Sequence, residues 1–342
     1  MIGTDAKRRC SSWIMGVKMH HLLVALISIS FFSILSGQAA NAAYFMRLSS
    51  SAKASAMGNA GIVQIDDAAA VHWNPANLMQ MESQHLSLLH SQYFISDVNY
   101  DFASYVVPAK NHRLGIAFSR LGVDNIADTR NAQYIANGGD WRLDYSRINR
   151  FSTADYVAYF AYASNWSKSV DVGVTAKLIY RDFGDENGLG IGFDLGTSFR
   201  PTEALTLAAV VQDITTSPVF YSTNTSEYSL PRVRLGAGYS QALAELDIFI
   251  RPVLQLDIGF DGSAGALFNS GQMTFDLPVG MEIAYTDRFA LRAGLDSNRE
   301  ATLGAGFRLG GLYLDYSYSG YSNALGNIHV ISLNANLERL LQ

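Results

Sequence analysis

From residue 84 to the end of the chain, apolar and polar positions alternate with a period of two. Val170, Val172, Val174, Ala176, Leu178 and Tyr180 interleave with Asp171, Gly173, Thr175, Lys177, Ile179 and Arg181. Successive side chains of a strand point to opposite faces, so this spacing builds sheet with one apolar face and one polar or small face. The same alternation recurs at Ile191, Phe193, Leu195 and Phe199, at Val233, Leu235, Ala237 and Tyr239, at Phe289, Leu291, Ala293 and Leu295, and at Leu312, Leu314, Tyr316 and Tyr318.

Alternation alone suits a soluble sandwich as well as a transmembrane barrel, because either buries one face and leaves the other to its surroundings. Connection lengths decide between them. The pattern predicts about fourteen strands, at 84–94, 98–108, 112–121, 152–164, 168–181, 189–200, 204–213, 231–241, 245–258, 272–286, 288–297, 300–309, 312–319 and 327–338. Many are near the ~10 residues that a tilted membrane-crossing strand needs. The even-numbered connections are short, such as 109–111, 201–203 and 310–311. Most odd-numbered ones are longer, such as 122–151, 214–230 and 259–271. Turns at one end and loops at the other are the habit of outer-membrane barrels, whose turns face the periplasm. An even strand count returns both chain ends to that side. The reading is an all-β protein: a transmembrane, antiparallel, up-and-down β-barrel.

Composition agrees. Charged residues make up 16% of the 342, glycine contributes 29, Tyr and Phe 18 each, and mean hydropathy is +0.07. No apolar run after residue 43 reaches the 18 or so residues of a spanning helix, so a membrane protein of this sequence crosses with strands. Residues 1–42 read as a signal peptide: Lys18 precedes the apolar run 22–35, and Ala40, Asn41 and Ala42 form a small-residue cleavage site. The only cysteine, Cys10, lies within it, so the exported chain has no disulfide and no thiolate ligand. The leader holds four of the 25 Lys and Arg and one of the 30 Asp and Glu, so its removal takes the formal charge from −5 to about −8. That balance speaks against a nucleic-acid partner.

Residues 43–83 do not alternate. They are small and partly helical in pattern, and they precede the barrel at 84–342 on the side from which a segment can enter the lumen as a plug. Asp66 is placed to cap a short Ala-rich helix, which Asn74 should end because it precedes Pro75. Asp66, Asp67 and Asn74 are read either as cap and turn or as a polar latch between plug and wall. Adjacent aspartates diverge in direction and do not make an acid/base pair.

On the polar face lie Arg181, Arg200, Arg234, Arg251, Arg292 and Arg308, with Asp171, Asp194, Asp247, Asp257 and Asp315. Opposite charges in a narrow lumen should pair and stiffen the wall, since an unpaired buried charge is costly. The other reading is a cationic guide for a carboxylate, which arginine clamps with two hydrogen bonds. Tyr134, Trp141 and Tyr145 in one loop and Phe220, Tyr221 and Tyr228 in another suit either a catching surface for a lipid-like ligand or the interfacial aromatic girdle. His72, His85, His90, His112 and His329 lack metal-ligand spacing. No nucleophile elbow or phosphate loop occurs, so neither an enzyme nor a cofactor is expected.

The run AMGNAGIVQIDDAAAVHWNPANL, residues 56–78, resembles the N-terminal hatch of the FadL-like outer-membrane superfamily, most closely its PorV/PorQ branch. There, a small-residue stretch leads to an acidic pair and an Asn-Pro-Ala turn, here Asp66 and Asp67 followed by Asn74, Pro75 and Ala76. LRAGL, LGAGFRLGGLYLDYSYS and LGNIHVISLNANL resemble the closing strands of the same branch. The resemblance implies a multi-pass barrel in the outer membrane, surrounded by its lipids. Its expected role is passive uptake of hydrophobic or lipid-like small molecules. The alternative is a PorV-like component of a type IX-like secretion system that binds secreted proteins at the cell surface.

Overall fold

The computed structural model describes residues 44–93, 98–135, 139–262, 266–286, 288–320 and 326–340. The expected signal peptide, 1–42, lies outside them. Fourteen antiparallel strands close into one barrel: β1 His85–Tyr93, β2 Val98–Ala109, β3 His112–Asp128, β4 Asn149–Ser167, β5 Val170–Asp182, β6 Asn187–Phe199, β7 Leu205–Gln212, β8 Arg232–Tyr239, β9 Ile248–Gly259, β10 Val279–Tyr285, β11 Phe289–Leu295, β12 Ala301–Leu309, β13 Leu312–Ser319 and β14 Ile328–Asn336. Each pairs with the next, and β14 returns to β1 in the register His85↔Asn336 to Gln92↔His329. A closed sheet leaves no unpaired edge, which is the condition for spanning a bilayer with strands. Among the described residues no helix is long and apolar enough to cross one.

The two faces are inverted relative to a soluble protein. Leu291 on β11 is 69% exposed, whereas its neighbour Arg292 is 8% exposed. On β5, Val174 and Leu178 face outward while Asp171, Thr175 and Lys177 are buried. Exposed leucines beside buried ions fit an apolar solvent outside and a polar lumen inside.

Three departures from the alternation have local causes. β3 and β4 run well past the expected 112–121 and 152–164, so much of the expected loop 122–151 is a two-stranded ribbon. A register shift between Val123 and Ile126 and a left-handed Asn125 (φ 62°) interrupt it, and the small hairpin Gln133–Ile135/Trp141–Leu143 tips it. The expected strand 272–286 is broken at Leu277 and Pro278, because proline has no N–H for the ladder. Met273–Asp276 and β10 pair separately with β9. Loop 214–230 contains the hairpin Ser217–Tyr221/Ser226–Ser229, whose first arm lies along the start of β6.

Residues 44–83 fill the lumen. A 3-10 turn (Tyr44–Arg47) leads to helix α1 (Ala52–Ala56), then α2 (Ala70–Trp73) and a second 3-10 segment (Pro75–Gln80). Ala52, Met57, Ile62, Ile65, Val71, Trp73 and Leu78 are essentially inaccessible. The hydrophobic core of this molecule is its plug, packed against Tyr100, Phe102, Val157 and Tyr159 of the wall.

Candidate functional site

The plug lies so close to the wall that wall glycines become necessary. A Cβ on Gly294 would sit 2.4 Å from the Met57 carbonyl carbon, one on Gly236 2.7 Å from Val63, and one on Gly173 2.5 Å from the Pro75 carbonyl carbon. Wall side chains then bond the plug's backbone. Thr302 Oγ1 accepts from Gly58 N (2.9 Å) and donates to Ala56 O (3.0 Å), Thr175 donates to Val71 O (3.0 Å), and Gln255 accepts from Ile62 N (3.2 Å).

The Asn-Pro-Ala turn is the firmest attachment. Asn74 is fully buried, ends α2 in an extended conformation (φ −157°) and caps the following 3-10 segment by accepting from Ala76 N at 3.1 Å. Its amide nitrogen donates to Ile62 O (3.0 Å), Thr197 O (3.3 Å) and Ser198 Oγ (3.2 Å) of β6. Pro75 opens the segment at a position that needs no N–H, and Ala76 is buried beside it.

The acidic pair does something other than cap a helix. α2 begins at Ala70, and the residue before it, Ala69, has no side-chain cap. Asp66 instead accepts from Lys53 Nζ at 2.8 Å, and Asp67 Oδ1 accepts from Ala69 N at 2.8 Å. The capping expected of Asp66 is therefore absent: Asp66 pairs with Lys53, and Asp67 closes a turn onto Ala69 N ahead of α2. Burial, followed by the nearby charge of Asp66, pushes the Asp67 carboxyl up to about 7. Burial, followed by Arg234, pushes His72 of α2 down to about 3, so this imidazole is neutral.

Most of the lumen charges named above are paired. Arg181 meets Asp155 (2.6 Å) and Glu227 (3.0 Å), with the rings of Phe45 and Phe183 over its guanidinium. Arg200 bonds Asp171. Asp194 and Asp213 share the buried Lys177 at 2.7 and 2.5 Å. Arg251 and Arg292 flank Glu282 at 2.7 and 2.6 Å, and Arg292 continues to Asp315 at 2.6 Å. Arg308 lies 3.9 Å from the Tyr313 ring centroid. Asp247 departs from the expectation: it is an exposed, left-handed residue (φ 52°) in the turn before β9. Lys53, Asp213, Glu227, Arg232 and Glu282 carry as much of this network as the arginines. The position of Glu282 between Gly280 and Ala284 on one strand face was the signal for it. Of the loop aromatics, Trp141 and Tyr145 are exposed at the ribbon tip, while Tyr221 turns inward to Arg181.

Arg234 is paired only loosely. It is 4% exposed, and its Nε and Nη1 have no hydrogen-bond partner. Its nearest acid, Asp257, lies 3.5 Å away, is shared with Arg232 at 3.7 Å and also accepts from Gln255 at 2.7 Å. Two guanidinium groups thus divide one carboxylate. They face a cavity of about 240 Å³ at the long-loop end of the lumen, where Leu48, Trp73, Tyr93 and Ile328 stand beside polar residues that include Asn59, Asp296 and Ser319. The Arg234 guanidinium stands 5.4 Å from the Trp73 ring centroid.

No family model and no curated protein matches the chain. Solved structures do. The toluene transporter TbuX of Ralstonia pickettii is 14% identical, with 83% of this chain and 97% of that chain covered and a TM-score of 0.55. The toluene transporter TodX of Pseudomonas putida is 13% identical, with 83% and 97% covered and a TM-score of 0.57. The CymD monoaromatic hydrocarbon channel is 14% identical, with 83% and 96% covered and a TM-score of 0.51. At such identity the likeness is one of fold. The chain shares with them the fold of a closed antiparallel β-barrel, here of fourteen strands with an N-terminal plug.

Proposed function

We propose that this protein is an outer-membrane channel for passive uptake of hydrophobic small molecules, and that the molecules it takes carry an anionic head. The observation that carries this reading is the pair Arg232 and Arg234. Buried guanidinium nitrogens without acceptors cost free energy unless a ligand supplies the acceptor. They stand in a cavity that places Leu48, Trp73, Tyr93 and Ile328 beside polar residues, among them Asn59, Asp296 and Ser319. A carboxylate fits the guanidinium pair and an alkyl or aryl tail fits the walls. The toluene transporters of the same fold take neutral hydrocarbons by their descriptions, and the arginine pair is what would separate this chain from them.

The test is equilibrium binding of dodecanoate and of dodecanol to the protein in lipid nanodiscs. Hydrogen bonds to charged groups contribute about 1.5–3 kcal/mol, so Arg234→Gln should weaken dodecanoate roughly 10- to 150-fold and leave dodecanol nearly unchanged. Equal binding of the two by wild type, with no effect of Arg234→Gln, would sink the anionic part of the proposal. The PorV-like reading relies on a different surface, the ribbon tip with Ile135, Trp141 and Tyr145 exposed. Secreted proteins crosslinked there, with uptake intact after deletion of 133–143, would support it.

A further inference from the structure

At the short-turn end of the lumen a second cleft of about 100 Å³ lies between plug and wall, and Lys53 and Asp66 stand at its plug side. The two partners of this ion pair differ sharply in exposure. The Lys53 side chain is 10% exposed, and that of Asp66 is 58% exposed. Asp66 therefore swings into water at little cost, whereas Lys53 must keep an acceptor where it is. The wall acids of the cleft behave differently. Glu282 is held between Arg251 and Arg292, and Asp315 between Arg292 and Asn334, all with buried or half-buried partners. Pulling either away strands a buried guanidinium.

We propose that Lys53 is a second anion site, where the carboxylate of a permeating amphiphile takes the place of Asp66 as it leaves toward the periplasm. This rests on the uptake reading above and names the exit for the same class of ligand. The exchange keeps Lys53 paired at every stage: one carboxylate turns away from it into water as another arrives. Phe289 and Phe307 stand at the rim of the cleft on the outward face of β11 and β12. Asp67, buried next to Asp66 with Asp315 and Lys53 as its other charged neighbours, carries a proton over part of the neutral range. It therefore adds less repulsion against the incoming anion.

The experiment measures dodecanoate binding in nanodiscs in an Arg234→Gln background, where the long-loop site is weakened. Asp66 is tethered only 13 residues from Lys53 and competes at an effective concentration of millimolar order or more. Adding Asp66→Asn should therefore tighten the residual site about tenfold or more. Lys53→Met with Asp66→Asn, a charge-balanced pair that avoids a stranded lysine, should abolish the site. Protease resistance of the plug confirms that it stays seated. Dodecanol should respond to neither change. Residual dodecanoate binding that is unmoved by Asp66→Asn, or that survives Lys53→Met, overturns the proposal. Failure of the uptake reading shows separately, as an Arg234→Gln change that does not weaken dodecanoate at all.

Discussion

Gly196→Ala is a single methyl group aimed at the firmest joint between plug and barrel. A Cβ there would lie 2.2 Å from Asn74 Oδ1, 2.9 Å from Pro75 Cδ and 3.2 Å from Asn74 Cγ. Asn74 is fully buried and cannot retreat without giving up its bonds to Thr197 O and Ser198 Oγ. Each such bond contributes about 0.5–1.5 kcal/mol net, and a buried polar group left unsatisfied costs about 1–3 kcal/mol. The plug's docking should therefore weaken by roughly 2–4 kcal/mol, raising the loosened population some 30- to 1,000-fold. The wall itself should be unharmed, because alanine costs a strand less than glycine does. The assay is limited proteolysis of the plug in nanodiscs, read beside single-channel conductance, with outward-facing Ala305→Val as a control. The expected result is faster cleavage within residues 44–83 and frequent large-conductance events, with heat-modifiable migration of the barrel unchanged. Wild-type protease resistance in Gly196→Ala would refute the view that close backbone approach at this glycine seats the plug.

Glu282→Gln should remove the charge between Arg251 and Arg292 and cost about 3–5 kcal/mol of barrel stability, measured as urea unfolding in detergent. Asp67 links stability to pH. Its carboxyl keeps a proton to about pH 7 when folded and loses it near 3.8 when unfolded. Its stabilising contribution is complete below about pH 4 and lost as pH rises through 7, a change of up to about 4 kcal/mol. Asp67→Asn should flatten that decline in thermal melts between pH 4 and 8, and an unchanged slope would remove Asp67 as its source. Lys177→Met should leave Asp194 and Asp213 facing each other without a cation and loosen the hairpin 217–229, which proteolysis within that hairpin would report.

The barrel was legible because period-two alternation is local: all fourteen strands lie where the pattern puts them, with errors mainly at their ends. The break in the strand before β10 was also written locally, in Pro278, but its apolar flanks hid it. The ribbon of β3 and β4 was harder to read, since past Val123 it stands outside the band where lipid enforces alternation. The role of Asp66 went astray for a related reason. Asp66 and Asp67 are chemically identical neighbours, and only the position of Lys53 on α1 decides which of them faces it. The arginines of the lumen could be assigned to a face from sequence. Which of them lacks an acceptor depends on Asp257 being shared with Gln255 and Arg232, a fact of three dimensions.

The glycines of the inner wall bear on how such a molecule is made. The plug precedes every strand in the chain, and the barrel closes only when its last strand meets its first, a pairing that spans almost the whole wall. Contacts that distant in sequence form slowly. With backbones of plug and wall separated by less than a side chain at Gly173, Gly280 and Gly294, a finished cylinder would leave little clearance for a segment threaded in afterwards. The plug is then better viewed as a mandrel: the sheet curls around an object already in place, and the final seam locks it in.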